Sequence, residues 1–232
     1  MNTTLTRRNI LAGIAATGFL ASAATVTAPQ AAANSHARPT ILVSPHPDDE
    51  TLRGAGYVNW AISRGDTLVL LALTDGGATG MGRREGLTPA QVMERRRAEQ
   101  VGAWSALTGG TGTIVRAGIP DGAITADAAT TAINQLLATY PGAEVYVAAR
   151  PSDDTKDHRE ACAGAAASNA KVVRYMRAPA DAGGGTAIYY PPNPQACHDA
   201  VASYWWTLGP RSSVGSIRNA MLAHGYRTRV TR

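Results

Sequence analysis

The chain has 232 residues, 44% hydrophobic and 17% charged, with 24 Gly, 13 Pro and two Cys. That length and apolar content suit one α/β domain with a sizeable core and exclude a disordered chain, and two Cys are too few for a disulfide scaffold. The formal charge of +5 raises the question of a nucleic-acid partner. The only Lys are Lys156 and Lys171, and Arg is scattered apart from Arg95-Arg96-Arg97, which is no nucleic-acid footprint.

The N-terminus has the layout of a secretory signal peptide. Arg7 and Arg8 precede an uncharged stretch from Asn9 to Ala33 that closes on Ala31-Ala32-Ala33, a small-residue cleavage signal. An Ala/Gly-rich apolar region after paired Arg looks like a twin-arginine export signal. The apolar stretch from Ile10 to Val26 is at the short end for a membrane span. The expectation is therefore a leader over residues 1–33, with Ala37 as an alternative cleavage point, and no stable span afterwards. Removing residues 1–33 takes two Arg and no acid, which leaves a charge of +3 on 199 residues. One secreted domain over residues 38–232 is the economical reading.

Beyond the leader, apolar runs alternate with helix-like stretches. Residues 40–44, 67–73 and 144–149 are short, apolar and rich in β-branched residues, and 112–115 and 171–175 are weaker runs of the same kind. Such runs suit strands buried on both faces of a parallel sheet. Helical patterns cover about 50–64, 88–107, 126–140 and 158–169. The second opens on Thr88-Pro89, a cap followed by Pro at the first helical position. Strands alternating with helices predict a Rossmann-like, doubly wound, mainly parallel sheet with helices on both faces. Ligands in such a sheet bind beyond the carboxyl ends of the strands, so the loops there are the places to search.

Two of those loops hold the chemistry. Ser44-Pro45-His46-Pro47-Asp48-Asp49-Glu50 follows the first strand, and the loop after 144–149 runs from Arg150 to Glu160. Together they carry seven of the 17 acids and two of the five His. Asp at a strand–helix junction is commonly a helix cap. Three consecutive acids beside a His are unfavourable, however, unless a cation or hydrogen bonds stabilise them. A His-plus-carboxylate set suits a divalent transition metal such as Zn²⁺ with water in an open position. Two His and one carboxylate also describe a non-haem Fe²⁺ site.

The segment His46-Pro47-Asp48-Asp49-Glu50 resembles the opening motif of the LmbE-like, or PIG-L, family of metal-dependent N-acetylglucosaminyl de-N-acetylases. The likeness continues through Thr74-Asp75-Gly76-Gly77, Arg96-Arg97-Ala98-Glu99, Pro120-Asp121-Gly122 and Asp157-His158. It covers about residues 40–160 well and the last 60 poorly. The resemblance implies His46, Asp49 and His158 as metal ligands and Asp48 as general base. It also implies Arg96, Asp121, Thr155, Asp157 and His224 as substrate-binding or supporting residues. Glu50 is expected to orient its neighbours or cap a helix. One departure matters: the family's second motif is usually H-P-D-H, and Thr155 stands here in place of its first His. Threonine donates a hydrogen bond but cannot protonate an amine at neutral pH.

Other features carry less. Gly76 to Gly82 lacks the Lys-Ser/Thr of a phosphate loop and is read as a rim or lid. Gly109-Gly110-Thr111-Gly112 precedes a strand, unlike a dinucleotide fingerprint, and no G-x-S-x-G elbow occurs. Cys162 and Cys197 allow one bridge in an exported protein. Trp205-Trp206 and Tyr189-Tyr190 are core or sugar-stacking surface. The expectation is an exported zinc hydrolase removing acetyl from an N-acetylated amino sugar or related amide. A non-catalytic carbohydrate-binding protein is the alternative.

Overall fold

In the computed structural model, β1 (Pro39–Ser44), β2 (Thr67–Ala72) and β4 (Glu144–Val147) form the centre of a seven-stranded sheet. The structure describes residues 38–177, 187–208 and 225–231, with Asn219 and Ala223. The stretch expected to be a leader, residues 1–33, lies outside the described residues, as do His36 and His224. With β3 (Thr113–Arg116), β5 (Val173–Arg177), β6 (Ala187–Tyr189) and β7 (Thr228–Thr231), the strand order is β3-β2-β1-β4-β5-β7-β6. The first five strands run parallel, and β7 pairs antiparallel with both β5 and β6.

The continuous apolar runs follow from burial on both faces. Leu42, Leu68, Leu70 and Tyr146 point into one core, together with residues of α2 (Ala55–Ser63), α4 (Pro89–Thr108) and α7 (Pro194–Ser203). Their neighbours Ile41, Val43, Val69, Val145 and Val147 point into a second core with α5 (Ala126–Thr139) and α6 (Lys156–Ala167). Successive strand residues face opposite ways, so one register serves both layers. Among the described residues no helix is long and apolar enough to cross a membrane.

The helices follow local chemistry closely. Thr88 and Gln91 form a reciprocal capping box at the start of α4, with Pro89 in the first turn, and Gly109 closes the helix at φ 59°. The stretch expected as one helix over 50–64 is instead two, α1 (Asp49–Leu52) and α2, parted at Arg53-Gly54. A Cβ on Gly54 would lie 2.5 Å from the Glu50 carbonyl oxygen, so the close approach at the break requires glycine there. The helix expected from 158 starts at Lys156, which places Asp157 and His158 in its first turn. A short α3 (Gly80–Arg84) sits in the Gly-rich segment, capped by Thr79. Helix α7, capped by Asn193 and carrying Pro194 in its first turn, was not expected, although Asn-Pro is a helix-start signal.

Cys162 and Cys197 are both free and buried, which corrects the bridge allowed by the sequence. Cys162 belongs to the α5/α6 core and Cys197 to the α4/α7 core. The sheet lies between them, so the two sulfurs cannot meet.

Candidate metal and hydrolytic site

Strand β1 pairs with β2 on one side and β4 on the other. This is the point where the strand order reverses, and a crevice opens there outside the carboxyl ends. Val43 pairs with Val147, so the two acidic loops leave the sheet side by side. The coincidence seen in the sequence thus has a topological cause.

The crevice brings His46, Asp49 and His158 together. His46 Nδ1 lies 3.2 Å from His158 Nε2 and 3.5 Å from Asp49 Oδ2, and His158 Nε2 lies 3.1 Å from Asp49 Oδ2. Four-coordinate zinc with bonds of about 2.0–2.1 Å separates its ligand atoms by roughly 3.3 Å. The three donors therefore stand at the spacing of one face of a zinc tetrahedron, and the donor chemistry fits a divalent ion. The His46 amide donates to Asp49 Oδ2 at 3.1 Å, which fixes that carboxylate.

Each imidazole is held from behind by carboxylate. His158 Nδ1 lies 3.0 Å from Asp153 Oδ2, and His46 Nε2 lies 3.2 Å from Asp157 Oδ2 and 3.3 Å from Asp121 Oδ1. Carboxylates in that position set the tautomer that presents the inner nitrogen to a metal. The charge balance agrees. Burial works against a charged His46, yet its bonds to Asp121, Asp157 and Asp49 raise its pKa well above the ordinary value. Burial likewise opposes the charged His158 ring, but Asp49 and Asp153 raise it to about 9. Burial disfavours the Asp49 carboxylate, and His158 nonetheless keeps its pKa well below the usual range. The pocket is built to hold positive charge.

Asp48 occupies a strained position, φ 125° and ψ −28°, which costs about 1–3 kcal/mol. Its amide donates to Glu50 Oε2 at 3.2 Å, and its carbonyl accepts from Thr51 and Leu52. Burial raises its carboxyl to about 7, against the pull of Arg96 and with the help of Asp49 and Glu50. Arg96 donates to Asp48 Oδ2 at 3.1 Å, to the Gly76 carbonyl at 3.3 Å and to the Pro47 carbonyl. Gly76 has φ +67°, and a Cβ there would meet the Arg96 guanidinium at 2.1 Å. That contact explains the Thr-Asp-Gly-Gly turn.

Glu50 supports the site from below. Fully buried, it accepts from Ser44 Oγ at 3.2 Å, Thr51 Oγ1 at 3.0 Å and Gln100 Nε2 at 3.3 Å, and from the Tyr204 hydroxyl. It orients its neighbours, as expected, whereas the N-cap position of α1 is taken by Asp48.

His46, Asp48, Asp49, Arg96 and His158 open onto a cavity of about 400 Å³, also lined by Leu52, Arg53, Ala78, Thr79, Asp121 and Thr155. Thr155 is the N-cap residue of α6, but its side chain makes no capping bond. Asp157 accepts from the Gly122 amide at 2.8 Å. Trp205 and Tyr190 are exposed, Trp206 donates to Glu85 at 2.8 Å, and Tyr189 packs on Tyr57 and Trp60. None of these four aromatics is among the residues lining the cavity.

Two functional residues escaped the sequence reading. Arg53 lies 3.5 Å from Asp49 Oδ1 and 3.3 Å from Asp153 Oδ2, linking the two acidic loops. Asp153 also accepts from the Arg150 amide at 2.9 Å and side chain at 3.0 Å. Arg53 follows Asp49 at helical spacing, and Asp153 stood in the acidic loop; those were the signals available.

The mainly parallel α/β sheet is Rossmann-like, and its switch point carries a His/Asp cluster that could hold a metal ion. Residues 41–170 match the PIG-L family, described as GlcNAc-PI de-N-acetylase, and the chain belongs to that family. No curated protein matches it by sequence. It is similar in structure to the N,N'-diacetylchitobiose deacetylase of Pyrococcus horikoshii (TM-score 0.63, 15% identity, 85% of each chain covered). It is similar to a zinc-inhibited form of teicoplanin deacetylase (TM-score 0.57, 17% identity, 84% of this chain and 98% of that one). The 4-carboxy-2-hydroxymuconate hydratase of Pseudomonas putida KT2440 shares the fold too (TM-score 0.60, 16% identity, 84% and 95% covered). At these identities the likeness concerns the fold; the reaction has to be argued from the site.

Proposed function

We propose that this chain is an exported, zinc-dependent hydrolase that removes acetyl from an N-acetylated amino sugar or a related amide. The observation that carries the reading is the convergence of His46 Nδ1, Asp49 Oδ2 and His158 Nε2 within 3.1–3.5 Å of one another, with Asp48 on the same cavity. Family membership and the two deacetylases of like fold support the choice of amide hydrolysis over hydration.

When bound, a divalent ion supplies an acidified water and a Lewis acid for the amide carbonyl. His46, Asp49 and His158 would hold it, and Asp153 and Asp157 would keep the two rings in register. The Asp48 carboxylate accepts the proton of the attacking water. Arg96 holds one of its oxygens, so the group presents a fixed orientation rather than a rotating one. Thr155 offers a hydroxyl to the carbonyl oxygen as charge develops on it. It has no proton to give an amine, so the Asp48 carboxyl returns its proton to the departing nitrogen. Leu52 and Ala78 supply the apolar lining beside these polar groups.

One observation favours a second reading. With threonine at 155, the cavity lacks a titratable donor at the position where the family usually has His, as a non-catalytic carbohydrate-binding protein would. The leader over residues 1–33 and the mature domain over 38–232 belong to the proposal as well, and N-terminal sequencing of the exported protein checks both.

The test is acetate release from a panel of N-acetylglucosamine conjugates, with and without chelator. The proposal expects release that chelation abolishes. Glycan binding without release, surviving both chelation and Asp48→Ala, would establish the second reading instead.

A further inference from the structure

We infer that His46 serves two cation sites: its outer nitrogen, with Asp121 and Asp157, takes a second divalent transition-metal ion, joined to the first through the imidazole ring. The inference rests on the metal-dependent reading above, since it begins from a His46 whose Nδ1 is committed to an ion.

His46 Nε2 lies 3.3 Å from Asp121 Oδ1 and 3.2 Å from Asp157 Oδ2, and the three atoms lie within 4.8 Å of one another. A neutral imidazole that gives Nδ1 to a metal keeps a single N–H, on Nε2. One hydrogen cannot satisfy two carboxylates. Backbone amides fix the pair from outside: Ala78 donates to Asp121 Oδ2 and Gly122 to Asp157 Oδ2, both at 2.8 Å. The remaining oxygen, Asp157 Oδ1, is buried and has no hydrogen-bond partner, on a residue only 2% exposed. Arg96, whose charge reaches Asp121, already pairs with Asp48 at 3.1 Å. The cluster thus holds one carboxylate more than its donors can neutralise, and one buried oxygen without a donor. Such a deficit is costly unless a cation fills it.

One imidazole nitrogen and two carboxylates form a donor set for zinc or a similar ion. The ion would displace the Nε2 proton, which passes to solvent, and the ring would become an imidazolate between two cations. Deprotonating the ring and placing two dications on it both oppose binding, so the second ion is held more weakly than the first. Asp121 lines the substrate cavity, so that ion would occupy the space where an acetylated substrate sits, and excess metal would inhibit.

The test titrates the metal-free chain with zinc chloride and counts bound zinc by equilibrium dialysis and elemental analysis. The wild type should take two ions, the second at least about tenfold weaker, and Asp121→Asn should take one. Asp157→Asn, checked for folding by circular dichroism, should also lose the weaker ion. Loading with Cu²⁺ gives an independent readout, because two cupric ions on one imidazolate are spin-coupled and lose the isolated-ion resonance. Saturation of the wild type at one ion, two ions in Asp121→Asn, or uncoupled copper signals would each overturn the inference while leaving the first site standing. A chain that binds no zinc at all would overturn both.

Discussion

Arg96 donates to Asp48 Oδ2 across 3.1 Å, so a residue in the middle of α4 sets the orientation of a carboxylate in the loop after β1. The same guanidinium ties down the Pro47 and Gly76 carbonyls, and therefore joins the loop that carries Asp48 to the loop after β2. Replacing Arg96 by Met keeps the length of the side chain and removes these bonds. Stability should fall by about 3 kcal/mol, the order expected when one partner of a buried pair is lost. kcat should fall by about tenfold or more with KM little changed. Thermal unfolding and acetate-release kinetics read the two effects separately.

Asp48→Asn removes the proton acceptor and leaves the donor set of His46, Asp49 and His158 untouched. Acetate release should drop by about a hundred- to ten-thousandfold, the usual contribution of a positioned general base. Metal content should stay at the wild-type level. A parallel loss of metal would instead identify Asp48 as a ligand.

Asp153 stands behind His158, whose Nδ1 it faces at 3.0 Å, and reaches Asp49 through Arg53. Asp153→Asn should weaken metal binding by about ten- to a hundredfold, as loss of a carboxylate behind a ligating His does. Competition against a chromophoric chelator measures this directly.

Much of this arrangement was legible beforehand, and the reasons are physical. Burial on both faces forces β1, β2 and β4 to be continuous apolar runs, so Ile41–Val43 and Leu68–Leu71 announced themselves. Acids such as Asp48 and Asp49 stand out because nothing in a buried strand–loop junction tolerates them without compensation. Strand β7 is different. Thr228–Thr231 is short, and although it lies between β5 and β6, only alternate residues are buried, so its two Thr and one Arg show little of the continuous apolar pattern of β1 or β2. The break at Gly54 depends on a contact with the Glu50 carbonyl, which no periodicity records. The partners of Glu50, Gln100 on α4 and Tyr204 just after α7, are set by how those helices pack. Nothing in their local sequence could have marked them.

Glu50 makes that packing testable. Removing its side chain leaves the Thr51 and Tyr204 hydroxyls and the Gln100 amide without their acceptor in a buried setting. Glu50→Ala should destabilise the chain by about 2–4 kcal/mol, whereas a merely peripheral acid would change stability by a few tenths. Urea unfolding distinguishes these outcomes.

The two Cys give a check on the layers of the fold. Burial pushes both thiols up to about 12, and the sheet keeps them in separate cores. The native chain should resist alkylation, and the denatured, unreduced chain should take up two labels. A chain that takes none under denaturing, non-reducing conditions would contain a bridge that this fold forbids.

The central claim, that His46, Asp49 and His158 hold the ion on which hydrolysis depends, is tested most directly by measuring bound divalent metal and acetate release on the same samples of wild type and Asp49→Ala. The account predicts about one tightly held ion per wild-type chain, little or none in the variant, and acetate release that follows the metal. Undiminished release from metal-free wild-type protein, or full tight metal loading in Asp49→Ala, would contradict it.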